Sequence, residues 1–147
     1  MANKEPKGSF IRWQSTTIAQ LTYSVNLFIG LGAAALGFLV ALLLNDAFAP
    51  AGIHRCAFVA SLLAILLSLG FGIWCVINRL RDFRATEKAA RLRERGEPDD
   101  KIQPYRDLYK RLGKATWTIF WWQIGTFGAG VLLMVIAVWE LLSQKLL

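Results

Sequence analysis

Residues 25–44 read VNLFIGLGAAALGFLVALLL, an unbroken apolar run with Asn26 as its one strongly polar side chain. The run lies inside a longer uncharged window from Arg12 to Asp46. Two more windows follow, from Arg55 to Arg79 and from Lys114 to Glu140. A helix needs roughly 20 residues to cross the hydrocarbon of a bilayer, and each window exceeds that. Composition agrees, at 55% hydrophobic residues and a mean hydropathy of +0.41. The fold class expected is therefore all-α, a three-helix transmembrane protein. Three spans use most of the 147 residues, which leaves no room for a soluble domain of ordinary size.

Charge placement orients the spans. Of the 17 Lys and Arg residues, 12 fall between Arg79 and Lys114, and Lys4, Lys7 and Arg12 precede the first span. Only Arg55 and Lys145 lie on the opposite side. The positive-inside rule then places the N-terminus and the long basic loop in the cytoplasm, and the first turn and the C-terminus outside. Ala47-Phe48-Ala49 has the form of a signal-peptidase site, but the preceding apolar run is about twice the length of a signal core and Pro50 follows the cut. The first span is read as retained.

The expected segmentation is a cytoplasmic segment 1–17, span one at 18–45, an outer turn at 46–52 and span two at 53–78. A basic cytoplasmic helical hairpin at 79–114, span three at 115–142 and an outer C-terminus at 143–147 complete it. Pro6 and Gly8 argue for an irregular start over residues 1–12. Arg79 to Arg95 contains no Gly or Pro and is rich in helix formers, with Glu87 and Arg91 in the favourable i,i+4 order. Gly96 and Pro98 are a stop signal, after which Asp99 or Asp100 caps a returning helix. Its 3.6 periodicity puts Tyr105, Leu108, Tyr109, Leu112 and Thr116 on one face, opposed by Leu80, Phe83 and Ala90. Cys56 and Cys75, 19 residues apart on one helix, are roughly 28 Å apart and cannot bridge.

Small residues form the best-patterned signal inside the spans. Ala60, Ala64, Ser68 and Gly72 recur at every fourth position in span two, widened by Ala57 and Ser61. Ala33, Gly37 and Ala41 do so in span one, beside Gly30 and Ala34, and Gly125 and Ala129 in span three. Lipid supplies no hydrophobic drive for helix association, so such stripes mark close helix packing, within one chain or between copies. A second group is polar. Gln20, Asn26, Asn78 and Gln123 all map toward the cytoplasmic leaflet, where they either lock the helices together or line a vestibule. Five of six tryptophans (Trp13, Trp74, Trp117, Trp121 and Trp122) fall in that same half, as an aromatic belt.

The string Asn78-Arg79-Leu80-Arg81-Asp82-Phe83-Arg84-Ala85-Thr86 is the most distinctive. Arg79, Arg81 and Arg84, backed by Lys114, Trp117 and Trp121, form a headgroup-level site for anionic lipid or a partner protein. The alternative is ordinary positive-inside charge with snorkelling stems. Asp82 among these arginines is expected to pair, with Arg79 or with a residue of the N-terminal segment or the returning arm. Together with Trp13-Gln14 before Ala19-Gln20-Leu21-Thr22-Tyr23, and with Arg111-Leu112-Gly113-Lys114-Ala115-Thr116-Trp117, this string resembles a family of small bacterial three-span inner-membrane proteins of uncharacterised function. The resemblance covers nearly the whole chain and implies a bacterial inner membrane, with no reaction or cofactor. More loosely the chain is similar to the SLATT membrane effectors, which pair a two-span hairpin with a cytoplasmic helix and are thought to perforate membranes. It departs from them by its third span.

Catalytic and metal-binding patterns are absent. His54 stands alone, so neither a zinc site nor a bis-His haem site is expected, and no phosphate-binding Gly loop, nucleophile elbow or paired catalytic carboxylates occur. The basic residues hug the membrane and interleave with seven acids, which disfavours nucleic acid. The function expected is a non-enzymatic membrane component without cofactor, forming a homo-oligomer or an accessory subunit of a larger complex. The alternative is a pore-forming effector gated by its hairpin.

Overall fold

The computed structural model describes residues 7–46 and 48–146, with side chains described for residues 16–46, 48–139 and 143. Three helices account for nearly all of it: α1 (Lys7–Leu43), α2 (Gly52–Glu94) and α3 (Asp99–Leu146). Each is long and apolar enough to cross a membrane, and no strand occurs among the described residues. At 43 and 48 residues, α2 and α3 are about 65–70 Å long, more than twice the roughly 30 Å of hydrocarbon. Both must project beyond it.

Each helix continues past a boundary drawn from the sequence. α1 starts at Lys7, not near residue 18, because the cost of Gly8 (about 1 kcal/mol) falls in its first turn and the following residues propagate the helix cooperatively. α2 passes Asn78 unbroken to Glu94, so the helix expected over Arg79–Arg95 is one with span two, as its run of helix formers without Gly or Pro implies. α3 runs through Pro104 and past residue 142 to Leu146, since Ser143-Gln144-Lys145 contains no breaker. Residues 1–6, and with them Lys4 and Pro6, lie outside the described residues, as do Ala47 and the side chain of Trp13.

The stop at Gly96 has a full physical account. Gly96 adopts φ +70°, its N–H donates to Arg93 O, and the N–H of Glu97 donates to Leu92 O, both at 3.1 Å. These two bonds satisfy terminal carbonyls of α2 and define a Schellman cap, whose left-handed residue favours glycine. Asp99 and Asp100 are the first two residues of α3 rather than its cap, and there they complement the positive helix end.

α2 and α3 pack antiparallel over nearly their whole length, and α1 lies against α2 from near the first turn as far as Arg79, which meets Thr22 and Ile18. The period of the seam is 3.5, not 3.6 or 4. On α3 the inward positions are Ile102, Tyr105, Tyr109, Leu112, Thr116, Ile119, Gln123, Thr126, Gly130, Leu133 and Ala137, in alternating steps of three and four. α1 keeps the same rhythm with Leu21, Val25, Phe28, Gly32, Ala35, Leu39 and Leu42. That is the heptad spacing of left-handed helix packing. It corrects the expected arm contacts, because Leu80, Phe83, Ala90 and Leu108 are exposed, Phe83 at the rim of a cleft between the helices, while Ala85, Ala89 and Ile102 are buried. Past Arg79 on α2 and before Lys114 on α3 the arms bury apolar surface, and Ile102 alone (2% exposed) contributes about 1.5–3 kcal/mol in water.

Two buried clusters hold the spans. Leu39, Ala57, Phe58, Ile65 and Ala137 form one, with Phe48 of the first turn packed on Phe58 at 5.3 Å between ring centroids. Val25, Cys75 and Phe120 form the other, where Phe28 meets Phe120 edge-on at 6.3 Å.

Candidate functional site

The interior of the α2–α3 seam is polar and small, and its hydrogen bonds repeat. Ser61 Oγ donates to Gly130 O at 2.8 Å, Ser68 Oγ to Gln123 O at 2.9 Å, and Cys75 Sγ to Thr116 O at 3.8 Å. The donors recur every seventh residue along α2 and the acceptors every seventh along α3, so one antiparallel register serves all three. A main-chain carbonyl with two lone pairs can take this second bond without leaving its own helix. Gly72 and Gly130 permit the approach. A Cβ on Gly72 would lie 2.6 Å from Gln123 Nε2, and one on Gly130 would lie 2.7 Å from Ile65 Cδ1.

Gln123 is the exception in this ladder. Its side chain is fully buried, and neither Nε2 nor Oε1 has a hydrogen-bond partner. Its backbone carbonyl is satisfied, so the orphan is the amide alone.

At the end of the apolar windows the ladder meets charge. Asn78 Nδ2 donates to Leu112 O and to Thr116 Oγ1, both at 3.0 Å. One turn on, Arg79 reaches across to α1, donating to Thr22 Oγ1 and, at 2.9 Å, to Ile18 O, with its guanidinium 5.5 Å from the Phe83 ring centroid. Arg79 therefore clips α1 to α2. Asp82 forms no ion pair with it. Asp82 Oδ1 is buried with no hydrogen-bond partner. Burial pushes its carboxyl above the ordinary 3.8, an effect that the Arg79 charge only partly offsets. Of the expected partners of Asp82, Arg79 clips α1 instead and the described returning arm leaves Oδ1 unbonded, while the side chains of residues 1–15 lie outside the described residues.

Asp82 lines a cleft of about 440 Å³ where the three helices meet. Arg79, Phe83, Tyr109 and Trp117 share its walls, and Leu21 closes the α1 side. An unpartnered carboxyl oxygen, aromatic rings and a partly enclosed space coincide in this cleft.

The residues singled out from sequence are distributed unevenly. Ser68 and Gly72 are buried in the seam with Ala57 and Ser61, while Ala60 and Ala64 are half-buried beside it, because a four-residue stripe drifts off a heptad seam. Ala33, Gly37 and Ala41 are exposed, as are Gly30 and Ala34, and so are Gly125 and Ala129. The four amides do not converge: Asn78 and Gln123 are enclosed, whereas Gln20 and Asn26 lie on the outside of α1. Arg81, Arg84, Lys114, Trp117 and Trp121 are exposed, and His54 Nδ1 is 2.9 Å from Ile136 O. The serine–cysteine ladder is legible in the sequence only at a period of seven, as Ser61, Ser68 and Cys75. No group of three His, Cys, Asp or Glu side chains that could hold a metal occurs among the described residues. No family model, curated protein or solved structure matches this chain.

Proposed function

We propose that this chain is a non-enzymatic, multi-pass protein of a bacterial inner membrane that assembles with copies of itself or as an accessory subunit of a larger complex. Its N-terminus and the α2–α3 turn lie in the cytoplasm, following the positive-inside distribution of charge, and its C-terminus lies outside. The observation that carries the assembly reading is the outer face of α1. α1 turns large residues (Val25, Phe28, Leu39) inward and presents Gly30, Ala33, Gly37 and Ala41 outward. An added Cβ on Gly30 or Gly37 meets nothing within 4 Å. In lipid, a small-residue face gains most by close approach of another helix, and within one chain this face has none. Gly125 and Ala129 offer a second such face on α3.

Arg81, Arg84 and Lys114, exposed beside Trp117 and Trp121, support contact with anionic headgroups at the cytoplasmic surface. A conducting pore has no comparable support, because the amides that would line it are divided between an enclosed seam and the outside of α1.

Single cysteines at Gly37 and Ala41, in a background carrying Cys56→Ala and Cys75→Ala, should cross-link to dimers in native membranes under mild oxidation. Leu39→Cys, buried in the chain, should not. Equal cross-linking at all three positions, or none at any, removes the support for this face as the interface.

A further inference from the structure

Asp82 is an acid that the fold leaves in an awkward place. One oxygen is covered and bonded to nothing, and the adjacent cation is turned toward α1. Among the described residues no second acid shares the cleft, and Arg79 is the one basic residue lining it. A partly desolvated carboxylate without a partner is unfavourable, and an incoming cation that donates hydrogen bonds would relieve it. Phe83, Tyr109 and Trp117 surround the same space, and aromatic faces attract ammonium groups. Arg79 has five N–H donors, of which the bonds to Thr22 and Ile18 use two. The remainder suit a phosphate one headgroup away from the ammonium.

The depth of the cleft completes the argument. It opens where the uncharged windows of α2 and α3 end, at Arg79 and Lys114, which is where headgroups lie. We propose that this three-helix junction binds the headgroup of an ethanolamine-type phospholipid, with the primary ammonium on Asp82 among the three aromatic rings and the phosphate on Arg79. The site requires the chain to lie in a bilayer but is independent of whether copies assemble.

The test is native mass spectrometry of the full chain in mild detergent supplied with equal amounts of phosphatidylethanolamine, phosphatidylcholine and phosphatidylglycerol. A parallel arm offers soluble phosphoethanolamine. Phosphatidylethanolamine should be retained about tenfold more than either competitor, about the effect of one good charge-assisted contact. Asp82→Asn should erase that preference while leaving the lipid-free protein folded, since it removes a buried charge. Trp117→Leu should weaken the preference in the same direction. Equal retention of the three lipids, or a preference unchanged in Asp82→Asn, would overturn the proposal. Tighter binding of soluble phosphoethanolamine than of the lipid would also overturn it, by assigning the cleft to a free small molecule.

Discussion

Replacing Gln123 with methionine should make the protein more stable, although it deletes the largest polar side chain of the core. The Gln123 amide is fully enclosed, and both of its polar atoms lack partners. Mutational data put the cost of one such group at about 1–3 kcal/mol. Methionine has nearly the same length and flexibility, so the shape change costs under about 1.5 kcal/mol. The one bond at this level, from Ser68 Oγ, goes to the backbone carbonyl of Gln123 and survives. Relieving two such groups against one modest repacking cost leaves a net gain of at least about 0.5 kcal/mol. Reversible unfolding in mixed micelles, followed by tryptophan fluorescence, measures it. A loss of 1 kcal/mol or more would show that the amide works in a contact the fold does not contain.

Other consequences are open to the same assay. Gly72→Ala forces a Cβ to 2.6 Å from Gln123 Nε2 and 2.8 Å from Ile29 Cγ1, and should destabilise by about 1–3 kcal/mol; a Gln123→Ala background should recover part of that loss, because one of the two clashes disappears. Asn78→Leu breaks two bonds to α3 and should cost about 0.6–2 kcal/mol, with Asn78→Ser intermediate. Asp82 has a raised carboxyl pKa through burial, so the folded state holds its proton more tightly and stability should fall as pH rises from below 3.8 through the folded value. Arg79 on α2 and Tyr109 on α3 face it, α1 contributes apolar Leu21, and a stability curve for Asp82→Asn without this fall identifies the group.

Hydropathy and charge located the three spans because a bilayer demands long uncharged helices, whatever they pack against. The Gly96 stop was equally local, since a left-handed residue after a helix is a matter of backbone chemistry. Which side faced inward was harder. In water a large apolar residue points to the core, so Leu80, Phe83 and Leu108 looked like arm contacts. In lipid that inference has no force: Leu63, Leu67, Ile73 and Trp74 face outward while Ser61, Ser68, Gly72 and Cys75 face the seam. The arms inherit the register set by that inverted core, which brings Ala85 and Ala89 to the interface. Asp82 was visible as an anomaly among arginines. Its solitude was not, because nothing local in the sequence says that Arg79 spends its donors on α1.

The most direct question is whether the outer face of α1 joins copies of this chain. Sedimentation equilibrium in density-matched detergent gives the protein mass directly, for the native chain and for one carrying Ala33→Leu, Gly37→Leu and Ala41→Leu. Two or more copies are expected for the native chain and a folded monomer for the variant, since these positions are exposed within one chain. A native monomer, or an unchanged oligomer in the variant, would contradict this expectation.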